Sequence, residues 1–239
     1  MIGTVLVGGV LLFALAAMLF DMQGKYSQSK ICAYVTGLMS VGAAVTLFAV
    51  ILADDFSYSY VVSYSSIDLP LLYKISVFWA GQQGSFLLWL VIHAVVGMIL
   101  AQEGRMTPVG RAIYQSLTAV LAFLVLIKSP FVPAETIVLD GHGMNPLLQD
   151  PWMAVHPPII FIGYALLAVP FAYSIESMIK APMEAGFLAP MRRWTLIAWA
   201  FLGAGIFIGG YWAYKVLGWG GYWGWDPVEN SSLVPWLLA

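Results

Sequence analysis

Ile2-Gly3-Thr4-Val5-Leu6-Val7-Gly8-Gly9-Val10-Leu11-Leu12-Phe13-Ala14-Leu15-Ala16-Ala17-Met18-Leu19-Phe20 runs without a charged residue and sets the fold class. About 20 apolar residues of helix cross the ~30 Å of bilayer hydrocarbon. A helix satisfies its own backbone hydrogen bonds there, where no water can. No basic residue precedes the run, so it reads as a retained span rather than a cleaved leader. Comparable stretches recur at Ile31 to Ala53, Ser85 to Ala101, Ala112 to Ile127, Ile159 to Ile179 and Trp194 to Tyr214. A seventh begins near Ser231 and is less than half a span long at Ala239, which predicts a truncated or split-gene product. The expected architecture is all-α, a polytopic bundle of about six spans plus the start of a seventh. Its first two helices occupy 1–53 and a second transmembrane unit occupies 54–239.

Composition agrees. Hydrophobic residues make up 61% of the 239 and charged residues 9%, against roughly 45–50% and 25% in soluble domains. The net charge of −2, without basic runs, points away from nucleic acid. The single cysteine, Cys32, excludes a disulfide framework, a CxxC redox pair and a CxxCH haem-attachment site within this chain.

Charge also orients the bundle. Alternate connections carry seven of the ten basic residues: Lys25 and Lys30, Arg105 and Arg111, and Lys180, Arg192 and Arg193. The others carry Lys74, Lys128 and Lys215 with eight of the twelve acids. The excess of Lys and Arg marks the cytoplasmic side. The N-terminus and the acidic loops are therefore expected outside a bacterial plasma membrane. The stretch Leu69 to Trp79, at the end of the first long outer loop, is apolar enough to lie along the interface.

Trp219-Gly220-Gly221-Tyr222-Trp223-Gly224-Trp225-Asp226, on that outer side, sets four large aromatics among three glycines. Aromatic faces give broad, rigid apolar area, and glycine lets a ligand approach the backbone. Such a loop suits a flat macrocycle. An interfacial aromatic belt is the plain alternative, although anchoring does not call for interleaved glycine. Asp226-Pro227-Val228-Glu229 reads as an N-cap, a proline at the first helical position and a capping glutamate. In Asp150-Pro151-Trp152-Met153-Ala154-Val155-His156-Pro157-Pro158, His156 stands just before two prolines able to start the fifth span, at the depth expected of the Trp loop. An imidazole beside an aromatic platform is a haem axial ligand in kind, and a solvated loop histidine otherwise. His93, mid-span, is a functional candidate as an intramembrane ionisable residue and reads at least as well as a neutral histidine bonded between helices, so it stays outside the haem site; His142 is a weaker ligand candidate.

These residues carry a resemblance. Trp219 to Asn230, ending Asp226-Pro227-Val228-Glu229-Asn230, resembles the WWD signature of the cytochrome c assembly proteins, in the form found in the CcmF/NrfE haem lyase branch. Asn145-Pro146-Leu147-Leu148-Gln149-Asp150, His156-Pro157-Pro158 with Gly163-Tyr164, and Trp79-Ala80-Gly81-Gln82-Gln83-Gly84-Ser85 support it, from about Phe56 onward. The resemblance implies a holocytochrome c synthase (haem lyase) role with haem b as its substrate or ligand. The binding set would be His156, Trp219, Gly220, Gly221, Tyr222, Trp223, Trp225, Asp226, Pro227, Glu229 and Asn230, with His156 as axial ligand to the iron. It implies a CcmE-like haem chaperone, an apocytochrome c carrying CxxCH, a CcmH-like thiol reductant and a remaining CcmF segment as partners. Tyr222 and Gly224 stand where the family has larger aromatics, and Gln83 where glutamate is common. The family's second external histidine and its intramembrane haem histidines fall past the Trp loop, so this chain alone is expected to lack lyase activity. Lys215, nearest the loop, is the expected partner for haem propionates.

Two other classes make distinct demands. A haem transporter or flippase needs polar residues along its spans, which offer little beyond His93 and Glu176, and a quinol-oxidising cytochrome b subunit needs paired intramembrane histidines. A non-catalytic structural subunit of the assembly complex fits the composition as well.

Overall fold

The computed structural model describes residues 2–136, 138–179 and 188–239. Lys180, one of the orienting cations, lies outside the described residues. In chain order the helices are α1 (Ile2–Met22), α2 (Tyr26–Leu52), α3 (Ser59–Tyr64), α4 (Leu71–Ala80), α5 (Gln82–Glu103), α6 (Pro108–Ile127), α7 (Pro151–Ile179), α8 (Leu188–Val216) and α9 (Pro227–Leu238). Six of them, α1, α2, α5, α6, α7 and α8, are long and apolar enough to cross a membrane. The expected all-α polytopic bundle is what the chain forms.

The helix ends follow local chemistry. Gly24 turns the chain between α1 and α2 at φ 70°, and Gly104 closes α5 at φ 64° with its N–H on the Leu100 carbonyl. Left-handed backbone of this kind favours glycine. Thr107 precedes α6 with Pro108 in its first turn, where a missing N–H costs nothing. The spans run past the apolar stretches that announce them. Asp21 and Arg111 thus fall inside α1 and α6, where both are buried and Arg111 Nη2 lies 2.8 Å from Asp21 Oδ1. The spans therefore hold more polar groups than the sequence promises.

One expectation needs correction. The fifth span does not start after His156. It starts at Pro151, and α7 runs straight through Pro157 and Pro158. Asp150 caps it, accepting the Trp152 N–H on its side chain at 2.9 Å and the Ala154 N–H on its carbonyl at 3.1 Å. The prolines withhold only their own donors, which would otherwise go to the carbonyls of Met153 and Ala154 in the first turn of the helix. His156 consequently sits in the second turn of a helix, not in a loop.

α1 packs on α2 and α6, α5 on α2, α6 and α7, and α7 along α8; α9 rests on α8. Apolar lipid gives helices no hydrophobic reason to associate, so small residues and close backbones do it. Added to Gly163 of α7, a Cβ would lie 2.7 Å from the Leu202 nitrogen; added to Gly205 of α8, it would lie 2.7 Å from Ile160 Cβ. The α4–α5 corner is held by two side chains: the Tyr60 hydroxyl, fully enclosed, donates to the carbonyls of Val77 and Phe78 and accepts the Gly81 N–H, and the Ser85 hydroxyl donates to the Trp79 carbonyl at 2.9 Å. Burial pushes the Tyr60 pKa up, so that donor persists at any ordinary pH.

Candidate functional site

The site begins where α7 and α8 run closest. His156 Nδ1 lies 2.7 Å from the Gly205 carbonyl oxygen. A carbonyl only accepts, so Nδ1 carries the proton and Nε2 keeps its lone pair. The ring fits there because α8 has glycine opposite it: a Cβ on Gly209 would fall 2.5 Å from His156 Cε1. Gly205 and Gly209, four residues apart on one helical face, thus set the tautomer of the imidazole and clear room for its ring.

His156 lines a cavity of about 380 Å³ whose walls come from α7, α8, the Trp loop and the start of α9. That volume lies within the roughly 300–1,000 Å³ of ligand pockets. The aromatic walls are Phe161 and Tyr164 of α7, Trp212 of α8, and Trp219 and Trp223 of the loop. Trp223 is distinctive, because its indole Nε1 is buried and finds no partner among the described residues. An unpaired buried donor costs about 1–3 kcal/mol unless something accepts from it.

The loop is built from its own hydrogen bonds. Trp219 Nε1 donates to the Gly221 carbonyl at 2.8 Å. Asp226 and Glu229 form the anticipated capping box of α9: Glu229 N–H donates to Asp226 Oδ1 at 2.7 Å, and Asp226 N–H approaches Glu229 Oε2 at 3.4 Å. The same carboxylate accepts the Gly224 N–H at 2.7 Å, so Glu229 holds the loop as well as the helix. Glu229→Ala is expected to cost the loop about 1 kcal/mol and so to speed hydrogen exchange at Gly224 and Asp226 about fivefold. Mass spectrometry of the 217–230 peptide reads this directly, and unchanged exchange would show that the carboxylate does not hold the loop.

Of the residues singled out from the sequence, the structure brings His156, Trp219, Trp223, Asp226 and Glu229 to one cavity. Tyr222 instead stacks on Tyr214, ring centroids 4.3 Å apart. Trp225 takes φ 58°, stands 72% exposed at the rim and has its carbonyl held by Asn230 Nδ2 at 3.2 Å. Gly220, Gly221 and Pro227 shape the turn and the helix start without lining the cavity. His142 is exposed beside α3, its N–H on the Val62 carbonyl, and does not line the cavity. His93 is bonded between helices as expected, with Nδ1 3.0 Å from Thr118 Oγ1.

Lys215 is already engaged, 2.9 Å from Asp150, and Lys74 is paired with Asp54 at 2.7 Å. The first pair ties the cap of α7 to the last turn of α8. Asn145 to Asp150 forms the adjoining brace: Asn145 Oδ1 accepts the Leu147 N–H, and the Leu147 carbonyl takes Trp212 Nε1 at 3.3 Å. The motif fixes where α7 begins relative to α8.

Gly209, Phe161 and Trp212 carry no motif that marks them. For Gly209 and Trp212 the signal is spacing alone, since 205, 209, 212 and 213 fall on one face of α8, opposite 156, 160, 163 and 164 on α7; Phe161 lies off that face and has no such signal.

Comparison with known proteins finds relatives of this bundle. The Cytochrome C assembly protein family profile matches residues 79–239. The chain is 42% identical over 209 residues to the cytochrome c-type biogenesis protein ccl1 of Rhodobacter capsulatus, covering 85% of this chain and 32% of that one. With the CcmF of Escherichia coli it shares 35% over 220 residues, 89% of this chain and 34% of the relative. The solved structure of a cytochrome c haem lyase CcmF superposes with TM-score 0.84 at 31% identity, over 99% of this chain and 40% of that one. The chain thus spans about a third of the length of the curated relatives it matches. With the matched profile reaching from Trp79 through the Trp loop and α9, the chain belongs to the cytochrome c assembly protein family.

Proposed function

We propose that this chain holds haem at the end of the bundle bearing the Trp loop and presents it for thioether attachment to an apocytochrome c, as the haem-lyase part of a cytochrome c maturation apparatus. The observation that carries the reading is His156, whose Nδ1–H is committed to the Gly205 carbonyl while Nε2, in the wall of an aromatic cavity, takes no bond from the described residues. A ligating histidine is held this way, one nitrogen fixed by an acceptor and the other left basic for the metal. The cavity fits the rest of the substrate. Trp219 and Trp223 offer faces to a flat apolar ring, and the unpaired Trp223 N–H supplies the hydrogen bond a propionate oxygen would accept. That indole takes the role the sequence gives to Lys215.

The chain's contribution is positioning: His156 orients the substrate, the loop excludes water from one face, and the vinyl edge is left for the thiols of a CxxCH segment. The addition chemistry belongs to the substrate and the thiolates. A CcmE-like chaperone as haem donor, a CcmH-like thiol reductant and a chain supplying the family's second external histidine complete the scheme. The basic end of the bundle, with Lys25, Lys30, Arg105, Arg192 and Arg193, faces the cytoplasm on this reading, and the Trp loop the outside of a bacterial plasma membrane.

The test is an equilibrium haem titration of the purified membrane protein followed by absorption. Trp223→Ala removes a stacked ring and the lone donor, roughly 2 kcal/mol together, and should weaken binding about 30-fold. A wild type that takes up no haem, or a variant that binds it equally well, sinks the proposal.

A further inference from the structure

A second constellation lies inside the bundle, away from the Trp loop. On α6, Arg111, Gln115 and Thr118 recur at i, i+4 and i+7, a polar stripe along about 10 Å of helix. On α5, His93, Gly97, Leu100 and Ala101 face it: Gln115 Nε2 and Tyr114 Cε1 each lie 3.4 Å from where a Cβ on Gly97 would stand, and the Tyr114 ring stacks on His93 with centroids 4.1 Å apart. The stripe starts at the buried Arg111–Asp21 pair, toward the basic end, and finishes near mid-span at His93.

Its polar groups are left incomplete by the protein. Asp21 Oδ1 accepts both Arg111 bonds, while Oδ2 is buried and makes no hydrogen bond of regular geometry among the described residues, with the Ser29 side chain beside the carboxylate. Gln115 Oε1 and Thr36 Oγ1, from α6 and α2, are in the same state. So is His93 Nε2, and its protonation follows from the bonds around it. Thr118 Oγ1 gives its proton to the Tyr114 carbonyl, so its oxygen accepts from His93 Nδ1–H, and Nε2 is a bare lone pair. Three such acceptors and one hydroxyl therefore sit between four helices. A small cavity of about 10 Å³, room for roughly one water, lies beside Asp21 and Gln115 and is lined also by Ser29, Gly97, Arg111 and Tyr114; His93 does not line it and borders it through the Tyr114 ring stacked on its own. Each buried unpaired acceptor costs about 1–3 kcal/mol, and a polar cavity with several partners is where a buried water settles. Hydrocarbon supplies no donor.

We infer that this stripe is a hydrated inlet, a binding path for water and for the protons water carries, leading from the Asp21–Arg111 pair past Gln115 to His93 Nε2. The inlet is separate from the Trp-loop cavity: no residue lines both. Gly97 is its narrow point, since any side chain there meets Gln115 and Tyr114.

The chain has three histidines, so its imidazole nitrogens resolve into a simple ¹⁵N spectrum. The full chain, labelled at histidine and held in lipid nanodiscs, is transferred from H₂O to D₂O. The Nδ1–H of His93 is expected to exchange far sooner than the backbone amides of the surrounding helices. Gly97→Val and, separately, Gln115→Leu should slow that exchange roughly tenfold or more by closing or drying the path. The signals of His142 and His156, which lie outside the inlet, report that each variant is folded. Exchange at His93 as slow as the core amides in the wild type would overturn the inlet. So would exchange unmoved by Gln115→Leu in a folded protein.

Discussion

His156→Ala is expected to leave the bundle folded and cost it nearly all of its haem, with affinity falling by at least about 100-fold. The estimate is a floor, since disturbing a group that merely orients a metal ligand costs roughly 10–100-fold, and here the ligand itself goes. The fold should survive because the side chain contributes one hydrogen bond to the Gly205 carbonyl, worth about 1 kcal/mol net. The variant also leaves a ring-shaped void beside Gly209, where a Cβ-bearing residue would not have left room. Added imidazole should enter that void, accept the place of the lost ring and restore much of the absorption band. Helix content by circular dichroism checks the fold, and the haem spectrum with and without imidazole checks the role. Full haem retention by the variant would remove His156 from the site.

Gly84→Ala is expected to be the most damaging single-methyl change in the described chain. Its Cβ would lie 1.8 Å from the Phe78 carbonyl oxygen and 2.4 Å from the Tyr60 hydroxyl. Neither can retreat cheaply: the first is backbone at the end of α4, and the second is bonded to Val77, Phe78 and Gly81 at once. Overpacking a filled core typically costs 1–3 kcal/mol, and a clash with fixed backbone places this change at about 3 kcal/mol or above. Gly97→Ala makes the contrast, because there the new methyl meets side chains at 3.4 Å. Thermal unfolding of the purified variants should rank Gly84→Ala well below Gly97→Ala and wild type. Equal melting points would show that the α4–α5 corner is looser than its geometry implies.

The six spans were legible because length and apolarity alone define a membrane helix, and no knowledge of neighbours enters. The capping box at Asp226 and Glu229 was legible for a similar reason, being chemistry within four residues. The start of α7 is not legible in its proline pair, which signals a helix start in water, because Asp150 caps the helix two turns earlier. The cavity was only half legible. His156, Trp219 and Trp223 stand out by type, but Phe161, Tyr164 and Trp212 join them only through the pairing of α7 with α8. Helices that are apolar all round carry no face that declares its partner. Lys215 shows the same limit, since nearness in sequence to the loop did not reveal Asp150 beside it.

α8 carries, one turn apart at Gly205 and Gly209, the carbonyl and the gap that define His156, and about three turns past Gly205 it ends and leads into the Trp loop, with Lys215 pinning its last turn to the cap of α7. The anchor of the His156 ring and the Trp loop are therefore mounted on a single rod. Neither can be retuned alone: sliding or rotating α8 moves the ring's anchor and the loop by the same displacement. Residues 205–229 consequently act as one mechanical unit, with the wall facing His156 and the Trp loop both set by the placement of a single helix.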